Sequence, residues 1–391
     1  MRPEELRPAL GFNDIGLLPA DRSTITSRKQ VDLTTKISRN IEIKYPIILS
    51  PMDTVSSVKS CIALNEIGAA GILHRFMTPE EQAEKALQIK QSQVGEGGPR
   101  LYVAIGLNDY KERVRTLLEG KCKFVDLLFL DTANGSNIKV EEFMKWWNKG
   151  YNNDGSRLLE DENGKYYAVS SSPDLIIGNT LTKASVARAI NLGADGVRHG
   201  IGVGSACITS RMTGIQCPPI TALYYGWKAI RNWELEQIDK SCGDEREDVT
   251  PSLLLDGGIK TPGDLAKAIA AGADAVISGS IFAGCKETPG KIIDIFPDDN
   301  RYGIPKKFKK YRGMASKGVV EDYDLWDGEP ENLFVEGEER LVPYEGKPVV
   351  EVVHEFANGL KSAMSYLGYR NLSELKGSLW TEETIGIKMG D

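Results

Sequence analysis

Short apolar runs alternate along the chain with stretches that have helical periodicity. Eight of these runs have the length of a buried parallel strand, and they lie at 46–49, 71–74, 101–105, 124–130, 175–177, 196–199, 253–255 and 275–278. Residues 262–271 have the spacing of a helix, with Thr261 as a candidate N-cap and Gly272 just beyond the end. Alternating strands and helices favour a parallel sheet with crossover helices, and eight strands is the number that closes a TIM barrel. We therefore predict an α/β fold, the (β/α)8 barrel.

Two segments do not follow the barrel repeat. Residues 152–167 are polar and contain glycine, which predicts a surface hairpin or loop inserted before the fifth strand. Residues 306–347 are charged and irregular, and they precede a helical pattern at 349–367. A long irregular segment in a compact domain is usually either mobile and functional or simply disordered, and we expect this one to be a mobile flap. The predicted organisation is one catalytic domain over residues 1–391 that includes both segments.

The composition excludes several classes of protein. With 41% hydrophobic residues the chain can bury a substantial core, and its formal net charge of −7 gives no general attraction for nucleic acid or an anionic membrane. A phosphate ligand would have to be held locally. No apolar run approaches the roughly 18 residues of a spanning helix, and the N-terminus lacks a secretory-type apolar stretch. Six scattered cysteines without a CxxC pair indicate reduced thiols, so we expect a cytoplasmic protein with no nucleic-acid or membrane partner.

The clearest chemical signal is GVGSACIT at 202–209, directly after the sixth predicted strand. Gly202 and Gly204 allow close backbone approaches, and Ser205 can donate a hydrogen bond to an anion. At the carboxyl mouth of a barrel, exposed backbone N–H groups can lower a thiol pKa and make Cys207 a nucleophile. A buried structural cysteine is the alternative, and the loop position and the neighbouring Thr209 hydroxyl favour catalysis over it.

Small residues also follow the seventh and eighth predicted strands, in LDGGIKTPGD at 255–264 and ISGSIFAG at 277–284. A barrel builds a phosphate cradle from these two loops, with backbone N–H groups on the phosphate oxygens. Asp256 could bind a ribose diol, or it could form an Asx turn or a helix cap. Asp53 in SPMDTV and Asp131 in LDTANG end two other strands, where each could serve a ligand or cap a helix.

Taken together, these motifs resemble the IMP dehydrogenase and GMP reductase family over nearly the whole chain. LGFNDIGLLPADRSTITSRKQVDLT at 10–34, SPMDTV, the GVGSACIT loop, DGGIKTPGD, GSIFAG and YRGMAS at 311–316 occur in the family's order. The resemblance implies a TIM barrel, a homotetramer and a purine nucleoside monophosphate as substrate. It also implies a hydride transfer between purine C2 and a nicotinamide cofactor, NADPH or NAD.

The resemblance assigns roles to individual residues. Cys207 would form a covalent bond to purine C2. The expected phosphate ligands are Ser205, Gly258, Gly279, Ser280 and Tyr311. Asp256 would bind the ribose, and the residues expected around the purine are Ser50, Gly313, Met314 and Glu336. Asp131, Thr132 and Ala133 would face the nicotinamide. The carbonyls of Gly202, Gly204 and Cys207 are similar to the family's loop for a monovalent cation such as K⁺.

The chain mixes features of the two reactions of this family. The dehydrogenase usually carries a tandem nucleotide-sensing (CBS) insert within the barrel, whereas only a short segment separates Arg75 from the strand at 101–105, so that insert is absent. DRSTITSR at 21–28, DTANG at 131–135 and RMTG at 211–214 are more similar to the reductase. SPMDTV, HRF at 74–76, YRGM and ETPG at 287–290 are more similar to the dehydrogenase.

Two positions depart from the family's catalytic patterns. Lys317 stands where the reductase has a glutamate that helps protonate the departing amine, and Asp322 precedes Tyr323 where the dehydrogenase flap has an arginine before its tyrosine. Thr209 and Tyr323 remain, and Thr209 with Glu336 could form an alternative proton relay. The sequence favours GMP reductase (GMP and NADPH to IMP, ammonia and NADP) over a CBS-less IMP dehydrogenase (IMP, NAD and water to XMP and NADH). A catalytically idle nucleotide-binding barrel is a third, weaker hypothesis.

Overall fold

The computed structural model describes residues 9–92, 98–119, 124–149, 157–169, 172–241, 250–296, 305–324, 333–381 and 386–389. Eight parallel strands form a closed barrel in which the eighth strand pairs with the first. In chain order the barrel strands are Ile47–Leu49, Ala70–Leu73, Tyr102–Ile105, Leu127–Asp131, Asp174–Thr180, Gly196–His199, Ser252–Asp256 and Ala275–Ser278. The predicted α/β fold and TIM barrel are confirmed, with all eight strands within a few residues of their expected positions.

The alternation of side chains along the strands produces two apolar layers. Ile48 and Ile72 pack inside the barrel with Phe129, whereas Ile47 and Leu73, one position away, pack outward toward the helices. Both sets are fully buried, which is why the strands appear in the sequence as continuous apolar runs rather than as alternating ones.

A small hairpin closes the amino-terminal end of the barrel. Its strands are Thr35–Lys36 and Glu42–Ile43, and its Ile37 joins the apolar cluster inside the barrel. The hydroxyl of Ser38 donates to the carboxylate of Asp174, at the start of the fifth barrel strand, over 2.6 Å. The opposite end, where the strands finish, is therefore the open end of the barrel.

Helices surround the barrel and follow its strands. The longer ones are Val58–Glu66, Pro79–Lys90, Tyr110–Glu119, Ile138–Trp147, Lys183–Asn191, Pro219–Ser241, Pro262–Ala270 and Val349–Leu367. The shorter α-helices are Thr209–Thr213, Lys317–Asp322 and Leu372–Leu375, and the 3-10 turns are Phe12–Asp14, Arg28–Gln30 and Ser378–Trp380. The helix predicted at 262–271 is confirmed, because the Thr261 hydroxyl accepts the Asp264 amide and Gly272 has a φ of +108° just after the helix end. None of the described helices is both long and apolar enough to cross a membrane.

The predicted insertion at 152–167 contains an antiparallel hairpin of Arg157–Glu160 and Tyr166–Val169, and its residues 152–156 lie outside the described residues. One face of the hairpin is buried through Leu159 and Val169. The indole N–H of Trp146 donates to the Glu160 carbonyl over 2.7 Å. The hairpin is therefore packed onto the helix Ile138–Trp147.

The segment at 306–347 is more regular than its sequence indicates. Its strands Lys306–Arg312 and Glu339–Pro343 form a three-stranded antiparallel sheet with Ile293–Ile295, and the helix Lys317–Asp322 follows the first of them. The expectation of an irregular segment is wrong for its described residues, while residues 325–332 lie outside them. The mobility of this flap stays a prediction. The remaining strand pair, Ile15–Leu17 with Gly386–Lys388, joins the two ends of the described chain.

Candidate active site

A cavity of about 730 Å³ opens at the carboxyl ends of the barrel strands. Residues that end or follow these strands line it, including Ser50, Asp131, Asn179 and Asp256. The residues singled out from the sequence that line this cavity are Ser50, Asp131, Thr132, Ala133, Gly202, Gly204, Ser205, Cys207, Thr209, Asp256, Gly258, Gly279, Ser280, Tyr311, Gly313, Met314 and Glu336. Tyr323 is not among the lining residues. The structure thus brings the candidate nucleophile, the glycine loops and the candidate ribose and nicotinamide ligands to one place.

The thiol of Cys207 lies on the cavity wall and donates to the hydroxyl of Thr209 over 3.2 Å. The loop turns tightly before it, because the Cys207 amide donates to the Gly204 carbonyl. Other thiols in the described chain have different surroundings: Cys61 and Cys285 are buried in the core, where burial raises the pKa of each to about 12. Cys207 is therefore placed for contact with a ligand, and those two cysteines are packing residues.

The cysteine loop, residues 202–208, is held from behind by a short segment, residues 336–338. The Ile208 amide donates to the Glu336 carbonyl over 2.9 Å, and the Glu338 amide donates to the Ala206 carbonyl over 3.0 Å. A Cβ on Gly313 would lie 2.5 Å from the Ala206 carbonyl oxygen, so this close stacking requires glycine there. These contacts bring Glu336 to the cavity although it lies far from the cysteine loop in the sequence.

Small residues and hydroxyls meet at one end of the cavity, which we call the cradle and define by Ser205, Gly258, Gly279 and Tyr311. Gly258 has a φ of +80°, and a Cβ on Gly279 would lie 3.2 Å from the Tyr311 hydroxyl. The hydroxyls of Ser205 and Tyr311 are 3.5 Å apart. Burial raises the pKa of Tyr311, so its hydroxyl keeps its proton at neutral pH. Hydroxyl groups together with the accessible backbone N–H groups of glycines can donate hydrogen bonds to the oxygens of a phosphate.

An ionic cluster around the buried Arg198 lies elsewhere on the same cavity wall. The Arg198 guanidinium contacts the Asp131 carboxylate at 2.5 Å and the Asp256 carboxylate at 2.9 Å. Arg75 also contacts Asp131, at 3.1 Å, and the Asn179 amide donates to Asp256 over 2.7 Å. Burial acts to raise the pKa of Asp131, but the charges of Arg198 and Arg75 hold that pKa below its ordinary value. Asp131 and Asp256, two of the three aspartates considered as ligand groups from the sequence, are thus oriented by one arginine.

The sequence analysis missed Arg198 and Asn179 as site residues. Arg198 lies inside a barrel strand that is buried throughout, and a charge at such a position needs a partner, so this signal was available. Its partners Asp131 and Asp256 are distant in sequence, and no local pattern identifies them.

The region expected to carry the flap's catalytic residues has a different arrangement. The Arg312 guanidinium pairs with the buried carboxylate of Asp53 and with Asp322, the latter at 2.5 Å. The Tyr323 hydroxyl donates to Asp53 over 3.2 Å, and its ring packs against Phe76 with 5.7 Å between centroids. Burial, followed by the charge of Asp53, raises the pKa of Tyr323 to about 12. Tyr323 is thus held outside the cavity in a state that retains its proton, which does not support the predicted catalytic role.

Lys317, at the reductase's glutamate position, also lies away from the cavity. Its side chain is 69% exposed and its ammonium is 3.5 Å from the Glu321 carboxylate. No carboxylate of its own helix turns into the cavity, since Glu321 is also exposed and Asp322 pairs with Arg312. The described residues contain no cluster of histidine, cysteine and carboxylate side chains suited to a metal ion. The monovalent cation expected at the carbonyls of Gly202, Gly204 and Cys207 stays a prediction.

The comparisons with known proteins agree with this geometry. A family model described as the IMP dehydrogenase / GMP reductase domain matches residues 9–385. The inosine-5'-monophosphate dehydrogenase of Borreliella burgdorferi is 30% identical, over 95% of this chain and 92% of that protein. The enzymes of the same name from Cryptosporidium parvum and Nitrosopumilus maritimus are 30% and 28% identical, over 98% and 95% of this chain and 94% and 95% of their own lengths. The chain therefore belongs to the IMP dehydrogenase / GMP reductase family of NAD(P)-dependent oxidoreductases.

Proposed function

We propose that this chain oxidises IMP at purine C2 with NAD as the hydride acceptor and water as the second reactant, giving XMP and NADH. The observation that carries the proposal is the Cys207 thiol on the cavity wall, 3.2 Å from the Thr209 hydroxyl and in the same cavity as the cradle. The sequence analysis placed GMP reductase first. The relatives named as IMP dehydrogenases, together with a lysine at 317 that faces solvent, support the dehydrogenase instead.

The cavity offers a partner for each part of a purine nucleotide. Ser205, Gly258, Gly279, Ser280 and Tyr311 would bind the phosphate. Asp256, which Arg198 and Asn179 keep in place, would accept hydrogen bonds from the ribose hydroxyls. The residues proposed to surround the base are Ser50, Gly313, Met314 and Glu336.

The residues near Asp131 fit an oxidised nicotinamide. Arg198 and Arg75 keep the Asp131 carboxylate ionised, and a carboxylate compensates the positive charge of the NAD⁺ ring. Thr132 and Ala133 continue the same wall of the cavity. A bound nicotinamide would supply the hydride acceptor, and the chain's own residues would hold the donor carbon toward it.

The first chemical step is attack by the Cys207 sulfur on purine C2. The thiol loses its proton, the S–C2 bond forms, and the hydrogen on C2 departs with its electron pair as hydride. The Thr209 hydroxyl, which accepts a hydrogen bond from the thiol, lies where the leaving proton can pass. The result is a covalent intermediate in which the Cys207 sulfur is bonded to purine C2. Water must then hydrolyse this bond.

The second step is hydrolysis of that bond, and Thr209 with Glu336 is the relay that we propose for activating water. Both residues line the cavity, and the hydrogen bond from Ile208 to the Glu336 carbonyl fixes the two segments together. The carboxylate would draw the water proton through the threonine hydroxyl. Tyr323 is not assigned to this step, because its hydroxyl is engaged by Asp53.

Replacing Thr209 with valine should slow hydrolysis more than hydride transfer, because valine keeps the shape but removes the relay hydroxyl. We expect the steady-state rate to fall by about 10²- to 10⁴-fold while one equivalent of NADH still forms in an initial burst. Stopped-flow absorbance at 340 nm measures both phases. Thr116→Val, at a half-buried position on an outer helix away from the cavity, is the control and should behave like the parent protein. Loss of the burst together with the steady state would contradict the relay assignment.

The proposed function is tested by two assays on the same preparation. IMP with NAD should generate absorbance at 340 nm, and chromatography should identify XMP as the product. GMP with NADPH should leave that absorbance unchanged, whereas its loss with release of ammonia would establish the reductase. Silence in both directions with measurable IMP binding would establish the idle binder. The homotetramer and the cation requirement are predictions from the resemblance, which light scattering and K⁺ titration of the rate would check.

A further inference from the structure

Arg340 lies beside the cradle, although no sequence motif drew attention to it. The strand Glu339–Pro343 pairs with Lys306–Arg312 in a register that puts Arg340 opposite Tyr311. Residues opposite each other on antiparallel strands point to the same face. The Arg340 guanidinium lies 5.3 Å from the centre of the Tyr311 ring, and its Nη2 donates to the Ser205 hydroxyl over 2.8 Å. One exposed cation thus touches two hydroxyl residues of the cradle.

The charge of Arg340 differs from that of its basic neighbours. Lys310 contacts Glu339 at 2.6 Å, Arg211 contacts Glu338 at 2.6 Å, and Arg312 pairs with Asp53. Within the described ranges, no carboxylate lies within ion-pair distance of Arg340, which uses its guanidinium on the neutral Ser205 hydroxyl. Its positive charge is therefore available to an anionic ligand.

The two arginines that line the cavity are already paired with carboxylates. Arg198 contacts Asp131 and Asp256, and Arg75 contacts Asp131. A phosphate dianion in the cradle would otherwise meet only hydroxyls and backbone N–H groups, in a chain whose formal net charge is −7. A charged donor adds more binding energy than a neutral one, because ionised hydrogen bonds are roughly twice as strong.

We propose that Arg340 is a specificity-determining residue that binds the 5'-phosphate of the nucleotide and makes this subsite select phosphorylated ligands over nucleosides. The planar guanidinium can present two N–H groups to two phosphate oxygens while it stays against the Tyr311 ring. The proposal rests on the proposed function for the assignment of a nucleoside 5'-monophosphate to the cavity. It goes beyond that function because it assigns the discrimination between nucleotides and nucleosides to the attraction between the Arg340 charge and the phosphate.

The test compares Arg340→Gln with Lys310→Gln, a matched removal of a cation from the adjacent strand. Dissociation constants are measured by calorimetry for IMP, inosine and ribose 5-phosphate. Arg340→Gln should weaken IMP and ribose 5-phosphate by about 10- to 100-fold and leave inosine unchanged, because only the phosphate contact is lost. In turnover assays, KM for IMP should rise by a similar factor and kcat should change little. Arg340→Lys should recover part of the affinity, since it restores the charge without the planar fork.

The outcomes separate this inference from the proposed function. Equal losses for IMP and inosine, or no loss for ribose 5-phosphate, would overturn the phosphate role of Arg340. If the parent protein binds ribose 5-phosphate in an Arg340-dependent way but produces no NADH from IMP, the inference stands and the dehydrogenase assignment fails. If none of the phosphorylated ligands binds the parent protein, both are refuted. Lys310→Gln should match the parent protein with every ligand.

Discussion

Cys207→Ala is expected to eliminate turnover of IMP, with a fall in rate on the order of 10⁴-fold or more, because no other thiol of the described residues lines the cavity to carry the covalent step. In the described part of the cavity Cys207 is the thiol on the wall, and Cys61 and Cys285 are buried in the core. IMP affinity should remain within a few-fold of the parent value, since the phosphate and ribose contacts come from other residues. Steady-state NADH production and calorimetric IMP binding measure the two quantities.

A control for this variant is Cys217→Ala. Cys217 is a half-buried free cysteine that does not line the cavity, so its loss should leave both turnover and binding unchanged. Trapping provides a second readout: denatured protein from a reaction of the parent enzyme should carry a purine adduct by mass spectrometry, and Cys207→Ala should carry none. Turnover by Cys207→Ala above the background rate would refute the nucleophile.

Arg198→Met should be the most destabilising of these substitutions. It removes the shared partner of Asp131 and Asp256 and leaves two carboxylates near the open end of the barrel core with reduced compensation. Breaking a buried ion pair by removing one partner costs about 3–5 kcal/mol, because the remaining charge is left unpaired. Urea unfolding at pH 7 measures the free energy of unfolding. Arg188→Met removes an exposed arginine that pairs with the half-buried Glu141 at the surface, and it should change that free energy by at most about 1 kcal/mol.

The pH dependence of the Arg198→Met effect has a definite sign. In the parent protein the pKa of Asp131 is lowered, so its contribution to stability is present above the unfolded pKa near 3.8 and is lost as pH falls through the folded value. Without Arg198, burial still raises that pKa and only Arg75 is left to lower it, so the carboxylate takes up a proton more readily in the folded state than it does in the parent protein. The destabilisation should therefore be largest near pH 7 and shrink toward pH 4. A difference in unfolding free energy that stays constant over this range would contradict the electrostatic explanation.

The barrel was predictable from the sequence because its strands are buried on both faces. Each strand then forms a continuous apolar run, as Ile47–Leu49 does, and eight runs separated by helical patterns leave few alternatives. The strand ends were less certain: Phe124 is 60% exposed and lies before the fourth strand, and the fifth strand extends to Thr180. The aromatic Phe124 moved the predicted start of the fourth strand too early, and the polar end of the fifth strand moved its predicted end too early. Both errors arise because a short stretch of sequence does not show which residues are buried.

The sheet at 306–312 and 339–343 could not be predicted by the same means. Its strand KKFKKYR has exposed lysines at Lys306, Lys307 and Lys310 and a buried one at Lys309, so it lacks the apolar run that identifies a barrel strand. The pairing with Glu339–Pro343 is antiparallel and spans a long connection, which no short-range pattern reports. A charged segment was therefore mistaken for an irregular one.

A site residue could be predicted where the sequence around it was sufficient to identify it, and not where its role depends on a contact that is distant in sequence. Asp256 ends a barrel strand and Cys207 lies in the loop after one, and the barrel places such residues at one end. Asn179 became visible only when its contact with Asp256, 77 positions away, was formed in three dimensions. Tyr323 is the opposite case. Its position in the sequence predicted a catalytic residue of the flap, but the sequence did not show that its hydroxyl donates to Asp53.

The backbone hydrogen bonds behind the cysteine loop connect the position of Cys207 to the position of the strand Glu339–Pro343. The Ala206 and Glu336 carbonyls bind amides of the opposite segment, and Gly337 continues into the strand that carries Arg340. If that strand moved away from the barrel, these hydrogen bonds would transmit the displacement to Ala206 and Ile208, the residues on either side of Cys207. A movement of the strand that opens the cavity would therefore also displace the loop that carries Cys207.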